Sequence, residues 1–206
     1  MSNSPFEPRP PLFPWYAPPL APAPARPAFA TLLGTNLSQP ERPRVFVSYQ
    51  HSSDQAYYYQ FSKAFHDIYE SIYDNSLARQ IDSDNPEYVI QRIRDEFITG
   101  TSCTIVLIGP TSYQRKYLDW EIKATLDKEH GLIGIQLPHL TANFSGQVTV
   151  PIRFAQNVQS GYALWHEISW QQLIANPASL KQYIADACSR PKNKIVNQKE
   201  IKKQNG

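Results

Sequence analysis

The sequence has no uninterrupted apolar run approaching the roughly 20 residues that a membrane-spanning helix needs. Its best stretch, Thr104–Gly109, is far too short, and a soluble protein is the expectation. Cysteine is scarce as well. Cys103 and Cys188 alone cannot build a disulfide framework, and they favour a reducing cytoplasm. Cys103 falls inside the apolar run and should be a buried, inert thiol.

The motifs of common cofactor chemistry are missing too. No GxxxxGK followed by Ser or Thr exists, which excludes a P-loop nucleotidase, and no GxGxxG follows a strand, which argues against a Rossmann dinucleotide site. His166-Glu167 lacks the second histidine of an HExxH zinc motif. The five histidines show no ligand spacing, so no metal centre is expected. A GxSxG nucleophile elbow is likewise absent. Carboxylates and loops remain to carry any chemistry.

Proline is what the chain has in excess, and its placement divides the sequence. Twelve of the 18 prolines precede Arg44. Residues 1–43 therefore read as a proline-rich disordered leader, since proline removes donors and favours extended polyproline II. Pro11-Leu12-Phe13-Pro14 and Pro19-Leu20-Ala21-Pro22 have PxxP spacing. With Phe13, Trp15 and Tyr16 they keep a partner-binding role open. Residues 190–206 carry six basic side chains and one acid, a tail of +5 on a chain whose net charge is +2. Such a tail reads as a solvated end. Nothing in the body reads as a nucleic-acid stripe or a membrane face.

Between them, residues 44–189 alternate strand and helix. Arg44–Tyr49 is β-branched and aromatic and ends in the polar Gln50–Ser53, where Ser52 or Ser53 could cap a helix. Tyr57, Phe61, Ala64, Phe65 and Ile68 give that helix one buried face. A short segment near Ser71–Tyr73 precedes the polar stretch Asp74–Ser83. Asn85-Pro86-Glu87 then starts a second helix that runs to Gly100. Ser102–Ile108 and Leu132–Leu137 are apolar without alternation, as strands covered on both faces are. The helix between them spans about Lys116 to His130, with Gly131 as its cap. Val148–Ile152 and Ala163–Ile168 are open between short strands and irregular cover, and Asn176-Pro177 opens a last helix. The pattern implies an α/β fold, a parallel sheet with helices on both faces. Ligands in such sheets bind at the carboxyl ends of the strands. That directs attention to Tyr49–Ser53, Asp74–Asn85 and Gly109–Tyr117.

Glu121 is the carboxylate to examine first. It lies beside the Leu118, Ile122, Thr125, Leu126 core stripe, one turn after Tyr117. Its helix starts just past the carboxyl end of the Ser102–Ile108 strand, so Glu121 should border the crevice. Asp119–Lys123 and Lys123–Asp127 have the spacing of ordinary helical ion pairs.

Arg44-Val-Phe-Val-Ser-Tyr49, the acidic loop after the second strand, Thr104-Ile-Val-Leu-Ile-Gly109 and Tyr117-Leu-Asp-Trp-Glu-Ile122 follow the order found in TIR domains. Residues 44–137 resemble the TIR-like ThsB proteins of bacterial Thoeris anti-phage systems. The strand ending in Leu-Ile-Gly and the aromatic-x-x-x-Glu-Ile helix are the most specific elements. The resemblance implies a flavodoxin-like fold and cleavage of NAD+ at the nicotinamide–ribose bond, with Glu121 as the catalytic carboxylate. It also implies a cyclised ADP-ribose product that signals to a separate effector. NAD+ is then a substrate, with no cofactor. Action as an assembly, hence a homo-oligomer, is an open expectation. Tyr117 stands where the family has tryptophan, and the leader is not part of the family's core.

The chemistry is coherent with that resemblance. Nicotinamide departs as a neutral ring and needs no proton, so the second carboxylate of a glycosidase is dispensable. One carboxylate in a partly dry cleft can stabilise the oxocarbenium-like ribose and hold its hydroxyls. Candidate substrate contacts are Ser48, Tyr49, His51, Asp74, Ser76 and Tyr117. Tyr49 is equally a core residue, and a histidine placed like His51 is more often a surface loop residue. The helix start near Ser52–Ser53 could face the pyrophosphate. A non-catalytic TIR-like interaction module is the competing reading.

Overall fold

Cys103–Ile108 and Gly131–Gln136 are six-residue runs in which nearly every residue is shut from solvent, and they lie beside each other in the sheet. In the computed structural model the described residues are 44–66, 68, 69, 72, 73, 85–144, 146–166 and 169–206. The proline-rich leader and the Asp74–Ser83 loop lie outside them.

The described residues form five parallel strands: β1 Val45–Ser48, β2 Ile72–Tyr73, β3 Cys103–Ile108, β4 Gly131–Gln136 and β5 Leu164–His166. Their order is β2-β1-β3-β4-β5, the flavodoxin-like order, in which the winding reverses between β1 and β3. Among the described residues six α-helices connect or follow them. These are α1 His51–Phe65, α2 Pro86–Arg92, α3 Lys116–Asp127, α4 Ile152–Gln159, α5 Trp170–Ala175 and α6 Ser179–Cys188. Ile93–Ile98 prolongs α2 with π-type winding. No helix of the described residues is long and apolar enough to cross a membrane.

Side chains alternate faces along each strand, so a uniformly apolar strand feeds two cores. Val45 and Val47 join Ile105, Leu107, Ile133 and Ile135 beneath α1, α5 and α6, meeting Phe61, Phe65, Leu173 and Ile184. On the other face Val106, Ile108 and Leu132 pack with Leu118, Ile122 and Phe154 of α3 and α4. Phe46 meets Val89, Ile93 and Trp120. Ile105 is fully buried, and its truncation to alanine would cost about 2–5 kcal/mol.

Several local expectations need correction. Neither Ser52 nor Ser53 caps α1, which begins one residue earlier behind Gln50. Asn85 does cap α2, its side chain accepting from the Tyr88 N–H. Helix α3 ends at Asp127, and Glu129, not Gly131, takes the left-handed conformation with φ of 57°. Gly131 instead opens β4, because a Cβ there would sit 3.0 Å from main-chain atoms of Ala187 and Cys188 in α6.

The region past residue 139 holds two unforeseen helices. The buried stripe of α4 includes Arg153 and Asn157, so its apolar periodicity is broken by polar residues with buried partners. Helix α5 starts with a capping box in which Ser169 and Gln172 satisfy each other's main chain. Trp170 packs against Phe61 and Tyr57, and Trp165 against Phe154.

The basic tail is a strap. Arg153, fully buried, forms a fork with Asp119 at 2.9 and 3.2 Å and donates to the carbonyl oxygens of Lys199 and Glu200. Asn157 exchanges hydrogen bonds with the main chain of Val196, and the Trp120 indole donates to the Lys202 carbonyl. The expectation of a solvated end fails because the tail docks through its main chain, which its basic side chains do not reveal.

Candidate functional site

Ser48 ends β1, Gly109 follows β3 directly, and His139 follows β4 by three residues. All three therefore lie at the carboxyl edge of the sheet. The β1–β3 reversal there is the usual ligand crevice of such a fold.

Glu121 reaches this edge from α3. It is 2% exposed, and the Ser48 hydroxyl, fully buried, donates to its Oε2 at 2.5 Å. The α3 main chain is held by Thr125, whose hydroxyl donates to the Glu121 carbonyl at 2.8 Å. Tyr117, one turn earlier, is half-buried beside the Phe46 cluster and meets Trp120 edge-on at 5.1 Å, with the Lys116 ammonium over its ring. Lys123 pairs with Asp127 at 3.0 Å as expected, whereas Asp119 turns to Arg153 instead of Lys123.

The other predicted contacts divide. Tyr49 is 3% exposed and stacked on Tyr58 at 4.5 Å. It is a core residue whose hydroxyl lies 3.2 Å from His51 Nδ1. His51 begins α1, and its Nε2 is shielded from solvent with no hydrogen-bond partner. Gln50 ties two edge loops together, accepting from the Thr111 hydroxyl at 2.6 Å and donating to Ser52. Asp74 and Ser76 lie outside the described residues.

Sequence reading overlooked a second buried carboxylate. Asp54, in the first turn of α1, has no exposed surface. Its Oδ1 accepts from the Ser53 hydroxyl at 2.8 Å and lies 3.1 Å from His139 Nε2. The His139 ring stacks on Tyr57, 4.9 Å away and nearly parallel. Both carboxylate oxygens would stand 2.8 Å from a Cβ at position 109, so the glycine is what makes room for them. Burial raises the Asp54 carboxyl above its ordinary value, opposed by the Ser53 and His139 contacts. Asp54 Oδ2 and His139 Nδ1 are buried without partners, a deficit of about 1–3 kcal/mol each. An acid in a helix's first turn reads as an ordinary complement to the dipole, so no signal in the sequence distinguished it.

Elsewhere Cys103 is fully buried, and its thiol is held well above the usual range chiefly by that burial. Among the described residues no group of three His, Cys, Asp or Glu side chains is arranged to hold a metal ion.

A five-stranded parallel sheet in this order, with a buried glutamate brought from the helix after β3 to the end of β1, defines an α/β domain of flavodoxin-like fold. Residues 46–142 match the family model of Thoeris protein ThsB, TIR-like domain, and over that segment the chain resembles ThsB. The match contains Ser48, Asp54, Gly109, Glu121 and His139, while α4, α5, α6 and the strap lie beyond it. No curated protein matches the chain.

Proposed function

We propose that this protein cleaves NAD+ at the nicotinamide–ribose bond and releases a cyclised ADP-ribose that activates a separate effector in anti-phage defence. The observation that carries the reading is Glu121, a buried carboxylate bonded to Ser48 at the β1 end of the switch point. The ThsB-type match over residues 46–142 supports the same reading.

Departure of nicotinamide leaves positive charge on the ribose, and a carboxylate fixed in a dry site stabilises that charge without reorganising. Ser48 restricts the carboxylate to one orientation, and Tyr117 on the same helix offers an aromatic wall. Exclusion of water favours capture of the cation by another part of the same molecule, which closes the ring. The reading assigns substrate contact to Ser48, His51, Asp74, Ser76 and Tyr117, with Tyr49 in support behind His51, and work in the cytoplasm, where NAD+ is present.

The test is nicotinamide release and product mass from purified protein, with and without lysate of phage-infected cells. Glu121→Gln, nearly isosteric, should lower release at least 100-fold while leaving the thermal transition in place. Full activity in that variant, or no product from the wild type under either condition, discards the proposal. The rival reading, a non-catalytic interaction module, draws on the exposed Phe144 and Ile152. Tight partner capture with no NAD+ turnover would select it.

A further inference from the structure

The amino edge of the sheet, opposite the candidate site, carries a pair of thiols. Cys103 is the first residue of β3 and pairs across the sheet with Gly131, the first residue of β4. With no side chain at 131, the end of α6 comes down onto that pair of strands, and α6 ends at Cys188. Cys103 lies in the core beneath α1, α5 and α6, and Cys188 packs against the same core from its rim. The two cysteines of the chain, far apart in sequence, thus meet through a hydrogen bond between their thiols.

Their surroundings make the two thiols unequal. Cys103 has no exposed surface, and burial holds its thiol well above the usual range, so it keeps its proton. Cys188 is partly exposed, and its thiol donates to the carbonyl oxygen of the exposed Ser102 at 3.3 Å. The Cys103 thiol, the Ser102 side chain and the Gly131 N–H face its sulfur, with the charge of Lys192 nearby. Together they draw the Cys188 thiol down to about 6, against the effect of burial. Lys192 is held in place, its ammonium 5.4 Å from the centre of the Tyr162 ring and 3.5 Å from the Cys188 carbonyl oxygen. The thiolate is the nucleophile of sulfur chemistry, and Cys188 is the member of the pair that offers one. A partly exposed thiolate beside a second, protonated thiol has the arrangement of an attacking and a resolving cysteine.

We propose that Cys188 is an oxidant-reactive thiol and that Cys103 resolves it, so that hydrogen peroxide converts the pair into a disulfide between α6 and β3. The Cys188 sulfur attacks one peroxide oxygen. The O–O bond breaks, hydroxide leaves and takes up the proton that Cys188 had released, and Cys188 becomes a sulfenic acid. The Cys103 sulfur then attacks the Cys188 sulfur. The S–S bond forms, the S–O bond breaks, and the Cys103 proton departs with the hydroxyl as water. Two thiols have lost two electrons, and the peroxide has been reduced to two waters. A thiol reductant reverses the change, as suits a bond formed transiently in a reducing compartment. The link ties β3, which leads into Gly109 and α3, to the helix that precedes the strap.

The experiment uses the full chain, purified reduced and then freed of reductant. In the native protein iodoacetamide should alkylate Cys188 at least about tenfold faster than Cys103, and in urea both should react. Hydrogen peroxide, then alkylation and mass spectrometry of unreduced peptides, should yield the Cys103 peptide joined to the Cys188 peptide in a monomeric chain. Dithiothreitol should separate them. Cys103→Ser should stop Cys188 at the sulfenic acid, trapped by dimedone, and Cys188→Ser should leave Cys103 unoxidised. A native Cys188 that neither iodoacetamide nor peroxide modifies overturns the proposal. So does oxidation that carries Cys188 to a sulfinic acid, or to a link between two chains, while Cys103 stays a free thiol. The wild-type peptide map decides the matter even if Cys103→Ser fails to fold.

Discussion

Ser48 Oγ and Glu121 Oε2 stand 2.5 Å apart although 73 positions separate the two residues, and neither has appreciable contact with solvent. The last residue of β1 thus sets the direction of the α3 carboxylate. Ser48→Ala removes that restraint and leaves a buried carboxylate oxygen short of one donor. A hydrogen bond to a charged group contributes about 1.5–3 kcal/mol. Nicotinamide release in the alanine variant should fall ten- to a hundredfold, with the fold retained. An unchanged kcat would mean that Ser48 serves packing alone.

Gly109 and Asp54 should behave as one unit. A methyl at 109 would press on both Asp54 oxygens at 2.8 Å, and Asp54 is held by Ser53 and His139. Gly109→Ala is expected to cost about 1–3 kcal/mol by overpacking. In Gly109→Ala/Asp54→Ala the space is free, so urea midpoints across the four proteins should reveal a coupling of at least about 1 kcal/mol. Additive midpoints would show that the two sites are independent.

The raised Asp54 carboxyl gives a pH dependence of definite sign. Its folded-state value lies above the reference 3.8 because burial disfavours the charge. The folded state therefore keeps its proton at pH values where the unfolded chain has lost it, and stability falls as pH rises through that interval. Asp54→Asn removes this loss. Urea unfolding from pH 3 to pH 7 should give similar wild-type and variant stabilities at the acid end. Toward neutrality the gap should widen in favour of the variant. A variant that is the less stable protein at pH 7 would show that Ser53 and His139 outweigh burial.

Arg153 should be the most damaging single change outside the crevice. Arg153→Met would strand Asp119 and release the carbonyls of Lys199 and Glu200. Breaking one side of a buried ion pair costs about 3–5 kcal/mol. Trypsin should then cut at Lys199, Lys202 or Lys203 well before the rest of the chain, as followed by mass spectrometry. A tail equally resistant in both proteins would assign the strap to its other bonds, such as Trp120 to Lys202.

The sheet was legible because Cys103–Ile108 and Gly131–Gln136 are short, β-branched apolar runs bounded by Gly109-Pro110 and Pro138, too short for a buried helix and suited to a strand covered on both faces. Glu121 was legible from its place on a helix that starts beside a strand end. Its bond to Ser48 was not, since nothing local links residues so far apart in sequence. Helix α4 escaped notice because Arg153 and Asn157 stand at core positions, with main-chain partners in the strap. Helix α5 could have been found from Ser169 and Gln172 at capping-box spacing. Asp54 gave no such sign, for its burial depends on a glycine 55 positions away.

Arg153 grips the strap by the main-chain carbonyl oxygens of Lys199 and Glu200, groups that every residue type carries alike, and by the side-chain oxygen of Asn197. Docking of this segment therefore depends on particular side chains only in part, chiefly Asn197 and the packed Ile195 and Ile201, while proline is barred at 196 and 202 because the Val196 and Lys202 N–H groups must reach Asn157 and Asp119. Divergent relatives could keep this clasp while varying every strap residue whose side chain faces solvent. The trait to look for in them is a guanidinium on one helix facing an aspartate on its neighbour.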